Sequence, residues 1–412
     1  MIGKWRYMEK RQLYQSTIAP FLAMKQMLFI AGPRQCGKTT LAKMIAERFE
    51  SSLYFNWDII TDRKKLRTNP YFYEAMDRKS SKTPLVLFDE IHKFNQWKNY
   101  LKGAYDRSHD DFKFIITGSG RLDLFRKGGD SLAGRYFLVH VWPFTLGELA
   151  QVAGSFEKFW HNPCYVESSS SSTLEIWRRL EAYSGFPTPY LSANREVYRV
   201  WSDTYRNQLI REDVRDLSGI VKIDSVEAMV DLLPVRVGSP LSINNLAQDI
   251  EVSFDTAKAW LETLERFFVI FRVPPFSKKI ARAITKEQKL YLYDYAQIED
   301  PASRFENMVA MELSRAVKNW TERGLGRFDL RYVRSKDKEE CDFLITEKQT
   351  PKLLIECKLS DPNVSKSLVK FQDALKVPAI QLVNEPGINR IIRNGTRTIT
   401  VASAHDWLCT LP

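Results

Sequence analysis

The sequence predicts an α/β protein whose N-terminal part is a parallel sheet covered by helices on both faces. Short apolar runs recur along this part and are separated by polar or helical segments, a pattern typical of buried parallel strands. These runs are Met27–Ala31, Leu53–Asn56, Leu85–Phe88, Phe114–Thr117 and Phe137–Val141. A glycine-rich loop follows the first run and two carboxylates follow the third, so both lie where ligands bind to parallel sheets.

The glycine-rich loop, residues 32–39, has the spacing G-x-x-x-x-G-K-[ST], which is typical of loops that bind phosphate. Apolar residues follow it at helical spacing, so the free N–H groups of a helix N-terminus add to the anion site. Lys38 is expected to reach the β- and γ-phosphates of ATP, and Thr39 to hold Mg²⁺. We predict nucleotide contacts from Gly32, Pro33, Arg34, Gln35, Cys36, Gly37, Lys38, Thr39 and Thr40. The alternative is a chance match in a strand–turn–helix.

Two carboxylates, Asp89 and Glu90, come directly after the buried run Leu85–Phe88. Asp89 is suited to bind Mg²⁺ through water, and Glu90 to polarise the attacking water as a general base. The next strand ends in small polar residues, of which Ser119 is the first candidate and Thr117 the second to hold that water. A surface acidic pair and a plain glycine turn are the alternative explanations.

Length and composition limit the class of protein. The 412 residues, 44% of them hydrophobic, suit about two to four domains. No apolar run approaches the roughly 18 residues that span a bilayer, so we expect no membrane segment. Cys36, Cys164, Cys341, Cys357 and Cys409 lack metal-ligand spacing, which favours a reducing, cytoplasmic location. The net charge of +11 permits a nucleic-acid partner and fits a solvated surface equally well.

Several motifs together resemble a prokaryotic AAA+-type ATPase family in which the ATPase core is followed by a region called DUF4143. The motifs are Gly32–Thr39, Phe88–Lys93, Thr117–Ser119 and Ser131–Arg135, with weaker matches at Pro143–Glu148 and Gly185–Pro187. The resemblance covers nearly the whole chain. It implies a P-loop NTPase core of the ASCE or AAA+ type, in which the acidic pair lies on a strand not adjacent to the phosphate-loop strand.

The same resemblance implies roles for residues outside the loop. Arg135 is a candidate arginine finger that would meet the γ-phosphate of a neighbouring subunit. Arg211 is the other candidate for the arginine finger. The alternative for Arg135 is a structural role at a helix end. Asn56 ends the second strand, where AAA+ proteins often hold the counterpart of Glu90 inactive. Asp58 is the second candidate for that role, and a turn-forming asparagine is the simpler explanation.

Helical segments are predicted on both sides of the ATPase core. Residues 1–26 contain Arg6 and Arg11 and are expected to form a helix beside the nucleotide. A serine run at residues 168–172 is expected to be flexible and exposed. Residues 174–222 carry aromatic and aliphatic side chains on one helical face, and we interpret them as a helical lid.

The sequence pattern changes at residue 224, and residues 224–295 are predicted to form a winged helix-turn-helix. Three helices, two of them capped by Ser242 and Ser253, are followed by two strands around a basic loop. Acidic residues on the third helix make it a poor reader of the major groove. The loop is better suited to DNA backbone contact without sequence reading, through Lys278, Lys279, Arg282, Lys286 and Lys289. The alternative is a protein–protein module.

The C-terminal residues carry a second group of charged residues. Asp342 lies on one predicted strand, and Glu356 and Lys358 emerge together from the next. This arrangement resembles the PD-(D/E)xK nuclease core, in which carboxylates bind Mg²⁺ and the lysine steadies a water. Glu306, on the preceding helix, is a further candidate, and Gln372 fits a polar position often seen there. The fold also occurs as an inactive binding module, and chance charges on a solvated hairpin would explain the same residues.

We therefore predict an ATPase core (1–150), a linker insertion and lid (151–223), a winged helix-turn-helix (224–298) and a restriction-endonuclease-like α/β domain (299–412). The favoured function is an ATP-hydrolysing, Mg²⁺-dependent motor that binds DNA without sequence preference, branched or forked DNA included. It would assemble as a ring, for example a hexamer. An ATP-regulated, Mg²⁺-dependent DNA nuclease is the second hypothesis. A nucleotide-gated signalling switch with a protein-binding C-terminal region is the third.

Overall fold

The computed structural model describes residues 11–118, 132–152, 154–167, 169–214, 222–277 and 287–412. Contacts divide the chain into two compact units, one ending at Pro143 and the other beginning at Phe144. Among the helices of the described ranges, none is both long and apolar enough to cross a lipid bilayer.

The first unit is built on a five-stranded sheet in which all neighbouring strands are parallel. Its strands are β1 (Met27–Ala31), β2 (Ser52–Asn56), β3 (Leu85–Asp89), β4 (Lys113–Thr117) and β5 (Tyr136–His140). Their order is β2-β3-β4-β1-β5, so β4 separates the phosphate-loop strand from the strand that carries Asp89. This order confirms the predicted α/β class with an additional strand.

Helices cover this sheet, and aromatic rings fill its core. The helices are α1 (Gln12–Leu22), α2 (Lys38–Ala46), α3 (Ile60–Thr68) and α4 (Trp97–Ser108), with 3₁₀ turns at Phe72–Ala75 and Ile91–Lys93. Strands β1 and β3 are buried at every position, as expected when both faces of a sheet are covered. Phe29, Phe55, Phe88 and Phe114 belong to one apolar cluster, and burying each ring stabilises the fold by about 1.5–3 kcal/mol.

The second unit begins with a helical region. Its helices are α5 (Leu146–Ala150), α6 (Phe156–His161), α7 (Ser171–Tyr183), α8 (Pro187–Ser192) and α9 (Arg195–Gln208), continued by a π-helical turn at Leu209–Val214. The serine run is exposed as expected at residues 170–172, but part of it is helical, where a flexible segment was expected. Ser171 begins α7, and both the N–H and the hydroxyl of Ser169 donate to Asp406 Oδ1, at 2.8 and 2.6 Å.

Three helices and a hairpin lie where the winged helix-turn-helix is predicted. They are α10 (Ile223–Leu232), α11 (Ile243–Asp249), α12 (Phe254–Arg266), β6 (Ile270–Val273) and β7 (Lys289–Leu292), with a 3₁₀ turn at Pro234–Arg236. Strands β6 and β7 pair in antiparallel fashion. Ser242 and Ser253 cap α11 and α12 as expected, accepting hydrogen bonds from the N–H groups of Asn245 and Thr256.

The C-terminal part is a six-stranded mixed sheet in the order β12-β13-β11-β10-β9-β8. Its strands are β8 (Phe328–Arg334), β9 (Glu340–Glu347), β10 (Thr350–Lys358), β11 (Ala379–Val383), β12 (Asn389–Asn394) and β13 (Arg397–Ser403). A 3₁₀ turn at Tyr295–Gln297 and the helices α13 (Pro301–Glu322), α14 (Lys366–Leu375) and α15 (Ala404–Leu408) accompany it. The predicted β9–β10 hairpin is antiparallel, and β10 pairs with β11 in parallel.

Candidate functional site

Asp89 is the centre of a hydrogen-bond network at the carboxyl end of β3. Its carboxylate, 3% exposed, accepts hydrogen bonds from Thr39 Oγ1 at 3.0 and 3.2 Å, from the hydroxyl of Tyr54 at 2.8 Å, and from that of Thr117. The donors come from α2, β2 and β4, which meet β3 at this edge of the sheet. The network fixes both predicted Mg²⁺ ligands, Thr39 and Asp89, side by side.

Tyr54 remains a hydrogen-bond donor to Asp89 over the whole physiological range. Burial raises the pKa of Tyr54 well above its usual value, and the hydrogen bond and the charge of Asp89 raise it further. Tyr54 was not among the residues predicted from the sequence. Its position was a usable signal, because Tyr54 and Asn56 share one face of β2 at the period of two residues.

The glycine-rich loop has the tight geometry that its sequence requires. Gly32 (φ 144°) and Gly37 (φ 92°) have positive φ, and a Cβ at Gly32 would lie 2.0 Å from the carbonyl oxygen of Val141. Lys38 is folded back over the loop, with Nζ donating to the carbonyls of Gly32 and Pro33 at 3.1 and 2.6 Å. These contacts hold an ammonium at the loop beside the N-terminus of α2, and both attract anions, so the residues fit the phosphates of ATP.

Arg11 connects the start of α1 to the phosphate loop. Its Nη2 donates to the carbonyl of Cys36 at 2.5 Å, and its Nη1 to the carbonyl of Trp142 at 3.1 Å. The Tyr14 hydroxyl accepts from the Trp142 N–H at 3.0 Å. A helix therefore lies beside the loop, as predicted, and Arg11 orients the backbone that would face the phosphates.

Glu90 follows Asp89 in a left-handed conformation, with φ 55°. Burial raises the pKa of Glu90, while the charges of Lys93 and Lys38 oppose that rise. Lys93 Nζ lies 3.5 Å from Glu90 Oε2 and donates to both carboxylate oxygens of Asp58, at 2.6 and 2.9 Å. Glu90 is thus a partly buried carboxylate whose pKa is shifted towards the range of a general base.

The predicted nuclease-like residues also come together in the second unit. Glu356 Oε1 lies 2.9 Å from Lys358 Nζ, and Asp342 Oδ2 accepts from the N–H of Cys357 at 2.9 Å. Gln372 lies elsewhere: it is buried and donates to the carbonyl of Thr398 at 2.8 Å. Within the described ranges, no group of three or more His, Cys, Asp or Glu side chains forms a ready metal site.

Lys289 lies inside this group of residues, and its assignment to a DNA-contacting loop is wrong. Its ammonium is 3.0 Å from Glu306, 3.0 Å from Asp342 and 2.7 Å from Glu340, and the side chain is 1% exposed. The physical reason is that three carboxylates compensate a buried charge that a solvated loop would leave in water. The remaining predicted loop contacts, Lys278, Lys279, Arg282 and Lys286, fall outside the described residues.

Comparison with family models identifies the parts of the chain. Residues 24–150 match the model of an AAA domain. The chain contains an AAA domain. Residues 303–407 match a domain of unknown function, DUF4143, and residues 174–298 match another, DUF8612. An AAA domain followed by a DUF4143 domain is the order expected from the resemblance of the motifs.

Two curated mycobacterial proteins are similar to the chain. Uncharacterized protein Rv2008c of Mycobacterium tuberculosis and uncharacterized protein Mb2031c of Mycobacterium bovis are each 23% identical to it over 268 residues. The alignments cover 65% of this chain and 54% of each relative. The chain therefore spans about half the length of the curated relatives it matches.

Solved structures with distant similarity include a DNA replication initiation factor and S. cerevisiae Hsp104 in complex with casein. The first is 14% identical with a TM-score of 0.27, covering 62% of this chain and 88% of that chain. The second is 16% identical with a TM-score of 0.29, covering 62% and 49%. The strand order β2-β3-β4-β1-β5, rather than these similarities, defines the fold of the AAA domain.

Asn56 in the AAA domain contacts the Asp89 network rather than Glu90. Its Nδ2 donates to the Tyr54 hydroxyl at 3.1 Å, and its Oδ1 accepts from the N–H of Asp58 at 2.8 Å. The second bond is that of a turn-forming asparagine. Asp58, the second candidate, connects to Glu90 through Lys93, which the sequence analysis missed although it lies one helical turn after Glu90.

The two candidates for holding the attacking water differ in what the structure describes. Thr117 is fully buried, and its hydroxyl donates to Asp89. Its hydroxyl therefore supports the predicted metal ligand. Ser119, the first candidate, lies outside the described residues and stays a prediction.

Arg135 of the AAA domain lies at the opposite end of the sheet from the phosphate loop. It precedes β5, whose first residue pairs with the first residue of β1, whereas the loop follows the last residue of β1. A five-residue strand spans about 16 Å. The Arg135 guanidinium makes two hydrogen bonds to Asp106, at 2.7 and 3.2 Å. Arg211, in the second unit, pairs with Glu227 at 2.6 Å.

Proposed function

We propose that the chain is an ATP-hydrolysing, AAA+-type motor that acts on DNA. The observation that supports ATP hydrolysis best is the direct contact of Thr39 with Asp89, beside a loop lysine that presently satisfies two backbone carbonyls. AAA+ ATPases as a class use ATP with Mg²⁺, and this residue set supplies a site for both.

The proposed mechanism assigns each residue one task. Lys38 would exchange its bonds to the Gly32 and Pro33 carbonyls for bonds to phosphate oxygens. Mg²⁺, held by Thr39 and Asp89, would neutralise charge on the β- and γ-phosphates. Glu90 would accept a proton from the attacking water, a task for which its raised pKa is suited.

A ring oligomer would complete the site. Because Arg135 and the phosphate loop of the same subunit lie at opposite ends of the sheet, a strand length of about 16 Å apart, we propose that Arg135 serves a neighbouring subunit. A ring, for example a hexamer, would bring the Arg135 of one copy towards the phosphates bound by the next. Its present partner Asp106 is exposed by roughly half, so the guanidinium is available for exchange at modest cost.

The nucleotide part of the proposal is tested by binding of a fluorescent ATP analogue to the full chain. Lys38→Ala is expected to weaken binding by about a hundredfold, since it removes a charge-assisted contact worth about 1.5–3 kcal/mol and leaves the phosphate charge uncompensated. Lys64→Ala, which removes an exposed lysine of α3, is the matched control. Equal binding by the wild type and Lys38→Ala would refute the proposed site.

DNA engagement is supported by the net charge of +11 and by the winged helix-turn-helix. We infer non-specific backbone contact, forked or branched DNA included, through Lys278, Lys279 and Arg282. Substitution of both Lys278 and Lys279 by Glu should weaken DNA binding and reduce its dependence on salt concentration. Glu at Lys64 and Lys102, two exposed lysines of the AAA domain, changes the net charge equally and serves as the control. Identical salt dependence for both pairs would contradict the inference.

Two alternative functions make different predictions. A nuclease would use Asp342, Glu356 and Lys358, and the 2.9 Å contact of Glu356 with Lys358 supports it. The buried Lys289 opposes it, so the nuclease ranks second. ATP binding without DNA binding would indicate the third hypothesis, a nucleotide-gated signalling switch.

We infer a cytoplasmic location for the protein. The described cysteines, which are all free thiols, support this inference.

A further inference from the structure

The buried lysine of β7 is the most unusual charged group in the second unit. We call Lys289, Glu306, Glu340 and Asp342 the Lys289 centre. The ammonium donates hydrogen bonds to Glu306 and Asp342, each at 3.0 Å, and forms an ion pair with Glu340 at 2.7 Å. These three carboxylates are supplied by α13 and by two positions of β9.

The backbone holds Lys289 in place from both sides. It pairs with Val273 in the β6–β7 hairpin and forms a bridge to Pro240 on its other edge. Next to it, the N–H of Leu241 donates to the carbonyl of Gln288 at 2.9 Å. The hydroxyl of Tyr332 donates to the carbonyl of Glu287 at 2.8 Å. The β6–β7 hairpin thus positions the Lys289 side chain against Glu340 and Asp342 on strand β9 of the C-terminal sheet.

The charges around the centre require a cation. The Lys289 side chain is 1% exposed, and those of Glu306, Glu340 and Asp342 are 16–23% exposed, so these charges compensate one another with little help from water. Removal of the ammonium would leave three partly buried carboxylates without a counter-charge. Hard divalent cations bind the same oxygen ligands that surround the ammonium.

Glu356 gives a second, independent indication of a cation site. It is 3% exposed; its Oε1 contacts Lys358 and Ser365 is a further polar neighbour, but its Oε2 makes no hydrogen bond of good geometry within the described residues. Asp342, a member of the Lys289 centre, is the like charge that acts on it most strongly. A buried carboxylate oxygen without a partner is rare, and a divalent cation bound at Asp342 would supply one.

We propose that the Lys289 ammonium and a divalent cation are alternative occupants of one carboxylate centre. Mg²⁺ or Mn²⁺ binds to Asp342, Glu356 and Glu306 only when β7 withdraws its lysine, so the hairpin is an autoinhibitory element for the DUF4143 domain. This inference does not depend on ATP hydrolysis, because every residue it uses lies in the second unit.

The test measures Mn²⁺ binding to the full chain without nucleotide, by the loss of the free-ion electron paramagnetic resonance signal. Lys289→Met should create a site about tenfold or more tighter than any in the wild type, because the carboxylates lose their internal cation. Asp342→Asn in that background should remove it. Lys352→Met, which removes an ion pair with Glu347 on the same sheet, is the matched control and should gain nothing.

Thermal unfolding provides a second readout, in which Mn²⁺ binding is detected as a change in the stability of the protein. Lys289→Met should unfold at a lower temperature than the wild type, and Mn²⁺ should restore more of its stability than it adds to the wild type. A folded Lys289→Met protein without a new site would overturn the proposal. So would a wild-type Mn²⁺ site that Asp342→Asn abolishes, since it would show that the lysine does not exclude the metal.

Discussion

Thr39 and Asp89, fifty residues apart in the sequence, are hydrogen-bonded through both carboxylate oxygens, at 3.0 and 3.2 Å. The contact joins the first turn of α2 to the carboxyl end of β3. Both residues have the oxygen chemistry that Mg²⁺ prefers. Their separation is therefore fixed by the protein before any ion binds, which reduces the ordering cost of binding.

Glu90→Gln should reduce the turnover of ATP while leaving its binding intact. The amide cannot accept the proton of the attacking water, and loss of a general base lowers kcat by about 10²–10⁴-fold. Phosphate release and analogue binding measure the two steps separately. Glu47→Gln, at an exposed position after α2, is the control. Unchanged turnover in Glu90→Gln would remove Glu90 from the mechanism.

Tyr54→Phe should raise the Mg²⁺ concentration that gives half-maximal ATPase activity. The substitution removes the 2.8 Å hydrogen bond that orients Asp89, and loss of such a supporting contact costs about 10–100-fold in metal affinity. The wild type and the variant should bind metal-free ATP equally. Tyr165→Phe, at an exposed tyrosine, should match the wild type, and an equal Mg²⁺ requirement in Tyr54→Phe would contradict the proposed support.

Gly32→Ala should disrupt the phosphate loop. The new Cβ would lie 2.0 Å from the carbonyl oxygen of Val141, and the φ of 144° is strained for any other residue, at a cost of about 1–3 kcal/mol. We expect lower thermal stability and loss of ATP binding. Gly103→Ala is the contrasting variant, because it meets only the Tyr71 hydroxyl at 3.5 Å. Since Gly103 lies inside α4, alanine there should stabilise by about 0.5–1 kcal/mol.

Asp294 should make the stability of the second unit depend on pH. Burial raises its pKa to about 6, above the value near 3.9 of an unfolded aspartate. The unfolded chain therefore loses this proton first, and the free energy of unfolding falls by about 3 kcal/mol as the pH rises from about 4 to 6. Asp294→Asn should remove that part of the slope in urea unfolding. Asp203→Asn, at an exposed carboxylate, should keep it, and equal slopes in all three proteins would contradict the assignment.

Lys38, Thr39 and Asp89 could be placed at one edge of the sheet from the sequence, because each belongs to a short motif beside a buried strand. Met27–Ala31 and Leu85–Asp89 are buried on both faces, so their apolar runs are unambiguous, and the loop motif fixes Lys38 and Thr39. Strand β2 is half-exposed, which hid the role of Tyr54. The distance between Asp89 and Thr117 followed from parallel strands ending at one edge.

Lys289 could not be predicted in the same way. Glu306 is 17 residues away on the next helix, and Glu340 and Asp342 lie beyond that helix and the following strand. No periodic pattern connects such positions. A lysine next to a basic loop is usually solvated. Only the pairing of β7 with β6, and its bridge to Pro240, brings the side chain into the sheet.

Arg11 connects the start of α1 to both sides of the phosphate loop. Its guanidinium donates hydrogen bonds to the carbonyls of Cys36 and Trp142, which are 25 and 131 residues away in the sequence. A displacement of the start of α1 would therefore strain or break two hydrogen bonds beside the phosphate loop.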